Sequence, residues 1–294
     1  VLLVFLALAV PSSAFDLDPE SEKDGRLFDQ LSVVSENDTV AGTDSGYTNG
    51  LVLGYAQAWR HERGALETQW LLSLGQTMLT PENTESTELQ EDDQPYAGLL
   101  YLSLGRAYRL ERTRVHTFSV LLGIVGPSSQ AENVQSEVHE AIGIDEPRGW
   151  EHQLKDEPVL NLAYEYRQSL ALSDGVAESR LWDVTGSCGV HAGNLVSAVR
   201  AGVTLRAGWN VPAAPAPSLH RGGMSSVPPV GREDNGHALY VLAGVEGYYV
   251  VNYLLLEGNT WKDSHGVKLT HEQGNIYGGL AYSWKGLHLR LLMM

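Results

Sequence analysis

Three polar clusters in this chain combine residue types that could do chemistry together. "SEND" supplies Glu36, Asn37 and Asp38, and "DSGYTNG" supplies Asp44, Tyr47, Thr48 and Asn49. The third, "SSQAENVQSEVHEAIG", carries Gln135 and His139, with Asp145 just beyond it. Carboxylates, an amide and a hydroxyl suit a hard cation, which prefers oxygen ligands. A histidine can serve as general base near neutral pH. Together these groups suggest metal-assisted hydrolysis, in which a cation polarises a carbonyl and an imidazole takes a proton from water. Each cluster alone is ordinary: Asn-Asp at a strand end is common turn chemistry. No GxSxG, HExxH or CxxC pattern competes with this reading. Neither a Walker nor a Rossmann fingerprint is present. The single Cys188 excludes an internal disulfide. It reads as a small apolar residue, with His191 three positions on and therefore on the other face of a strand.

These clusters need elements to hold them, and the periodicity says which. Apolar and other residues alternate through "LLYLSLGRAY", "HTFSVLLGIV", "VLNLAYEYRQSL", "VRAGVTLRAG" and "NIYGGLAYSW". Such period-2 patterning marks strands. Eleven segments are expected, at about 29–37, 47–59, 66–76, 96–109, 113–125, 158–171, 181–192, 196–208, 237–253, 268–284 and 286–294. Their non-apolar faces mix Arg, Glu, Asn, Ser and Gly, as in a membrane barrel with a polar interior and an apolar exterior. Trp59, Trp70, Tyr108, Trp182, Trp209 and Trp284 near strand ends fit interfacial girdles. Between the fifth and sixth segments, Val134, Val138, Ala141 and Ile142 recur at helical spacing around His139. If the first two strands pair, Asn37, Asp38 and Thr48 meet at one rim, which the helix could cap. The stretch 210–234, rich in Pro, Gly and Ser, reads as a loop, and 83–93 as an acidic one.

The chain's 294 residues carry a net charge of −16, which argues against nucleic acid as a partner because a phosphate backbone needs a basic surface. Ten apolar residues at the start lead into Ser12-Ser13-Ala14, the core and cleavage pattern of a secretory signal, so residues 1–14 are expected to lie outside the fold and 15–294 to form the barrel. No run reaches the length of a membrane-spanning helix. Met and a basic stretch are absent ahead of the apolar run, so the chain reads as truncated at its start. It also stops within a strand pattern, "LHLRLLMM", so a final strand is expected to be missing, since bacterial single-chain barrels have even strand numbers.

The strings "SENDTV", "GYTNGLVLGYA", "LSLGQTMLTPE", "DDQPYAGLLYLSLG", "LGIVGPSSQAENVQSEVHEAIG", "PRGWEHQLKDEPVLNLAYEYR" and "LAGVEGYYV" follow one another along the chain. In this order they resemble the lipid A 3′-O-deacylases of Gram-negative outer membranes, most specifically over 94–167. The resemblance implies an all-β fold, an antiparallel barrel of about twelve strands with a short helix after the fifth. It implies calcium-dependent removal of the ester-linked 3′ acyl chain of lipid A, by a monomer in the cell outer membrane. The family's catalytic histidine falls on His139, its Asn-Asp pair on Asn37 and Asp38, and its Tyr-Thr pair places Thr48. Asp145 stands where the family has Glu, and Gln135 is an orienting partner one turn before the histidine. Asp38, Thr48 and Asp145 would hold the calcium ion. Gln94 replaces an Arg of the usual motif, in a loop that is acidic here. Two other readings fit the same pattern: a non-enzymatic pore or scaffold, and an ester hydrolase acting on phospholipid.

Overall fold

The computed structural model describes residues 2–11, 26–37, 49–59, 67–143, 145–173, 179–218, 237–284 and 287–294. Twelve antiparallel strands close into a barrel. They are β1 (Leu2–Pro11), β2 (Arg26–Asn37), β3 (Asn49–Trp59), β4 (Glu67–Leu79), β5 (Ala97–Glu111) and β6 (Arg114–Val125). The others are β7 (Glu157–Leu172), β8 (Ser179–Gly193), β9 (Val196–Pro212), β10 (His237–Tyr253), β11 (Glu272–Trp284) and β12 (Leu287–Met293). Helix α1 (Ala131–Ile142) follows β6, and the single turn α2 (Leu254–Glu257) follows β10. No helix among the described residues is long and apolar enough to cross a membrane, so the crossing is made by strands.

Strands β2 to β12 match the eleven segments expected from alternation, because each buries one row and turns the other outward. Leu72, Leu74, Leu102, Leu104, Phe118, Val120, Leu122, Leu160 and Leu162 form a continuous exposed apolar surface on adjacent strands. That surface is what a barrel presents to lipid. Residues 1–14, expected outside the fold, are placed differently: Leu2–Pro11 pair with β12 on one side and β2 on the other. They take the position for which a missing strand was expected. An open barrel edge in lipid leaves a row of N–H and C=O groups unpaired, and ten residues are enough to span.

One rim gathers the connections 38–48, 80–96, 126–156, 194–195 and 254–271. The other gathers short turns, such as 112–113 and 285–286, and the 213–236 excursion. Longer loops lie on the outside in bacterial barrels, which puts the first rim at the cell exterior.

The interior is only partly the polar lining expected. Beneath the outer rim it is apolar: Leu254 and Leu255 of α2 pack among Val34, Val52, Leu99, Tyr101 and Leu121. Deeper in, charges pair. Arg206 grips both carboxylate oxygens of Asp183, the first at 2.9 Å, and Arg200 bridges Glu165 and Glu246. Part of the expected loop enters this zone from the inner rim. Ala216 is buried and donates its N–H to Thr185 Oγ1 at 2.9 Å, and Arg206 Nη2 donates to the Ala214 carbonyl at 2.6 Å. At the outer rim the 254–271 segment crosses the mouth. His265 Nε2 lies 2.7 Å from the Asp93 carbonyl, in the loop between β4 and β5, six strands around the ring. The lumen is thus obstructed at both ends.

Candidate active site on the outer face of the rim

The rim is set by register. Asn37 pairs with Asn49, Asn49 with Met78, and Met78 with Gly98, so these four lie in one row. The expectation that the first two polar clusters share a rim therefore holds as far as Asn37 and Asn49. At about 4.8 Å per strand the row spans roughly 14 Å. Asp38 and Thr48 adjoin Asn37 and Asn49 in the chain but lie outside the described residues, as does the side chain of Asn37.

Helix α1 is seated at the other end of this row. Gly126 donates its N–H to the Gly98 carbonyl at 3.0 Å, which turns the chain leaving β6 back over β5. Gln76 Nε2 donates to the Ser129 carbonyl at 2.7 Å. Gln76 and Met78 continue the outward row of Leu72 and Leu74 on β4, and Gly98 that of Leu104 and Leu102 on β5. The start of the helix therefore rests on the exterior of the wall, not over the mouth. A side chain at position 98 would overlap the Ser129 hydroxyl and the Ala131 methyl, so glycine is what permits this approach. Outward-facing Met78 is buried because Ala131, Tyr96 and Trp150 cover it.

Polar contacts fix the helix further. Trp150 Nε1 donates to Gln135 Oε1 at 2.8 Å, and both side chains are buried. Trp150 packs on Tyr96 with ring centroids 5.0 Å apart. Burial pushes the Tyr96 phenol above its ordinary pKa, so it remains a neutral donor, here to the Thr84 carbonyl at 3.4 Å. Gln153 Nε2 reaches Glu132 in the first turn at 3.2 Å. Gln135, expected to orient the histidine, spends its amide oxygen on Trp150. Sequence reasoning missed Trp150, Tyr96, Gln76 and Gly98 as docking residues; "PRGWEHQL" had stood out only as a string.

His139 is half-buried near the end of the helix, and its Nδ1 lies 2.6 Å from the Asp145 backbone carbonyl. A carbonyl oxygen can only accept, so Nδ1 carries the proton, and in the neutral ring Nε2 keeps its lone pair. Gly143 (φ +73°) ends the helix in the left-handed conformation, which starts the chain's return towards the ring. Asp145 thus meets the histidine through its backbone, while its side chain is exposed. Among the described residues no group of three or more His, Cys, Asp or Glu side chains gathers as a metal site.

Residues 1–294 match the family model described as Outer membrane protein LpxR. The chain belongs to the LpxR family. This is the lipid A deacylase family that the motifs resemble, and it places the barrel in the outer membrane. A solved structure, LpxR from Salmonella typhimurium, has the same fold, with a TM-score of 0.69 and 15% identity over 99% of each chain. No curated protein matches the chain. The LpxR barrel with its one short helix accounts for the all-β architecture expected from alternation.

Proposed function

We propose that this member of the LpxR family hydrolyses the ester that links the 3′ acyl chain to lipid A, with His139 activating the water. Family and fold support the coarser reading, an outer-membrane lipid A deacylase. One observation carries the finer one: a histidine sits at the outer rim, on the exterior of the wall, with Nδ1 committed to a backbone carbonyl and Nε2 left basic. There Nε2 takes a proton from water as the oxygen attacks the ester carbonyl. The same proton then goes to the departing sugar oxygen as the acyl C–O bond breaks. Asn37, at the end of the same rim row, is the candidate donor to the carbonyl oxygen. The backbone oxygen of Asp145 keeps the imidazole in the right tautomer throughout.

Calcium would be held by Asp38, Thr48 and Asp145. Asp145 fits such a set: its carboxylate is an exposed hard oxygen ligand close in sequence to His139. When bound, the ion would supply positive charge to the carbonyl oxygen. One chain contributes every residue named, so the reading is of a monomer.

The pore reading is disfavoured by the 254–271 crossing and the inserted 213–218 segment. The choice between lipid A and phospholipid is made by the product. Gln94, where the family motif has Arg, donates its amide to the Thr80 carbonyl of its own loop, so that side chain is engaged in closing the loop. Mass spectrometry of total lipids from cells making the full chain tests the proposal. Loss of one hydroxyacyl chain from lipid A is expected, abolished by His139→Gln and by a calcium chelator. Accumulation of lysophospholipid with intact lipid A would refute it in favour of the phospholipid reading. Unchanged lipids of both kinds would leave a non-enzymatic barrel.

A further inference from the structure

Helix α1 buries the wrong residues for a helix in water. Of its central positions, polar Gln135 is covered, whereas Val134 is 38% exposed, Val138 is 46% exposed and Ala141 is exposed as well. At 100° per residue, Val134, Val138 and Ala141 form one stripe beside the edge that Ala131 and Gln135 press on the wall. Glu132, Asn133, Glu137 and Glu140 are exposed on the polar side. An apolar flank with an acidic back is the layout of a helix lying in a membrane interface.

Two further observations say what covers the stripe. The helix starts on the outward row of β4 and β5, at Gln76, Met78 and Gly98, so it stands on the lipid side of the wall. The leucines that continue those rows inward, Leu74 and Leu102, are about half exposed and belong to the lipid-facing surface. Burial also fades along the helix: Ala131 and Gln135 are buried, while Val138, His139, Glu140 and Ala141 are half or fully exposed. The second half of α1 therefore has an open flank, where Val138 and His139 are neighbours.

We propose that Val134 and Val138 hold the acyl chain of the lipid whose ester is cut. The chain lies along the valine stripe, about 6 Å per helical turn, while its ester end reaches His139. This rests on the deacylase reading above. It makes the valines a specificity element: they recognise a long saturated chain, not the sugar.

The test uses the full chain in vesicles and reads position separately from catalysis. Cys188, which is exposed on the barrel surface, is first changed to Ser, and a polarity-sensitive fluorophore is attached through Val138→Cys or, as a control, Glu140→Cys. The label at 138 is expected to be quenched by lipids brominated in their acyl chains, and the label at 140 by aqueous iodide. In kinetics with lipid A, Val134→Ser/Val138→Ser is expected to raise KM by about tenfold per valine, and Val134→Leu/Val138→Leu to recover it. An active enzyme whose label at 138 is quenched by iodide overturns the acyl-chain proposal. So does an unchanged KM in the Ser pair. A label in the acyl layer on a wild-type chain that releases no fatty acid overturns the deacylase reading instead, and with it the assignment of the cut chain to these valines.

Discussion

Replacing Trp150 by Phe should undock the helix that carries His139 while leaving the barrel closed. The phenyl ring keeps most of the packing on Tyr96 but removes the only donor that the indole offers to Gln135 Oε1, 2.8 Å away in a buried setting. An orphaned buried acceptor costs about 1–3 kcal/mol. If the docked helix is the active form, that cost lowers its population relative to the undocked form by about 5- to 150-fold. The same loss is expected of Gln135→Met, which orphans the indole N–H instead. The pair Trp150→Phe/Gln135→Met leaves neither group unsatisfied and should recover activity to within a few-fold of wild type. The assay is deacylation rate in parallel with amide hydrogen exchange over 131–142. Two results refute the reasoning. Unchanged rate and protection in Trp150→Phe would mean the bond does not hold the helix. Restored protection without restored rate in the double variant would mean Gln135 acts on His139 itself and is more than a docking residue.

Gly98→Val should force Ser129 and Ala131 off the wall, at the cost of overpacking, about 1–3 kcal/mol; activity should fall while the heat-modifiable gel shift of the folded barrel persists. Arg206→Ala leaves Asp183, which is fully buried, without its bidentate partner. A broken buried pair costs about 3–5 kcal/mol, so the urea midpoint should drop, and new proteolytic cleavage should appear near 213–218, where Arg206 also binds Pro212 and Ala214. Arg114→Ala, whose partner Glu111 is exposed like Arg114 itself, should leave that midpoint within error. In planar bilayers the protein should show no steady conductance, since 254–271 and 213–218 obstruct the lumen; porin-like steps would contradict the closed interior.

The sequence by itself determined the wall. Leu100, Leu102 and Leu104 alternate with smaller or polar residues because a strand turns successive side chains to opposite faces. That local geometry is legible without any contact, so strand number and limits were read to within a few residues. The helix around His139 was legible for the same reason, through a change of period. Only tertiary structure decided which side of the wall the helix would take. That depends on Gln76 and Gly98 sharing an outward row across two strands, which is a matter of register and not of local pattern. It also decided that Val134 and Val138 stay exposed while Gln135 is buried, because the medium outside this wall is lipid and the polar partner, Trp150, comes from a later loop. The inserted 213–218 segment read only as a loop, since its anchors Arg167, Thr185 and Arg206 come from three different strands. Periodicity reports what each residue faces; whom it faces is fixed only when distant strands have found their register.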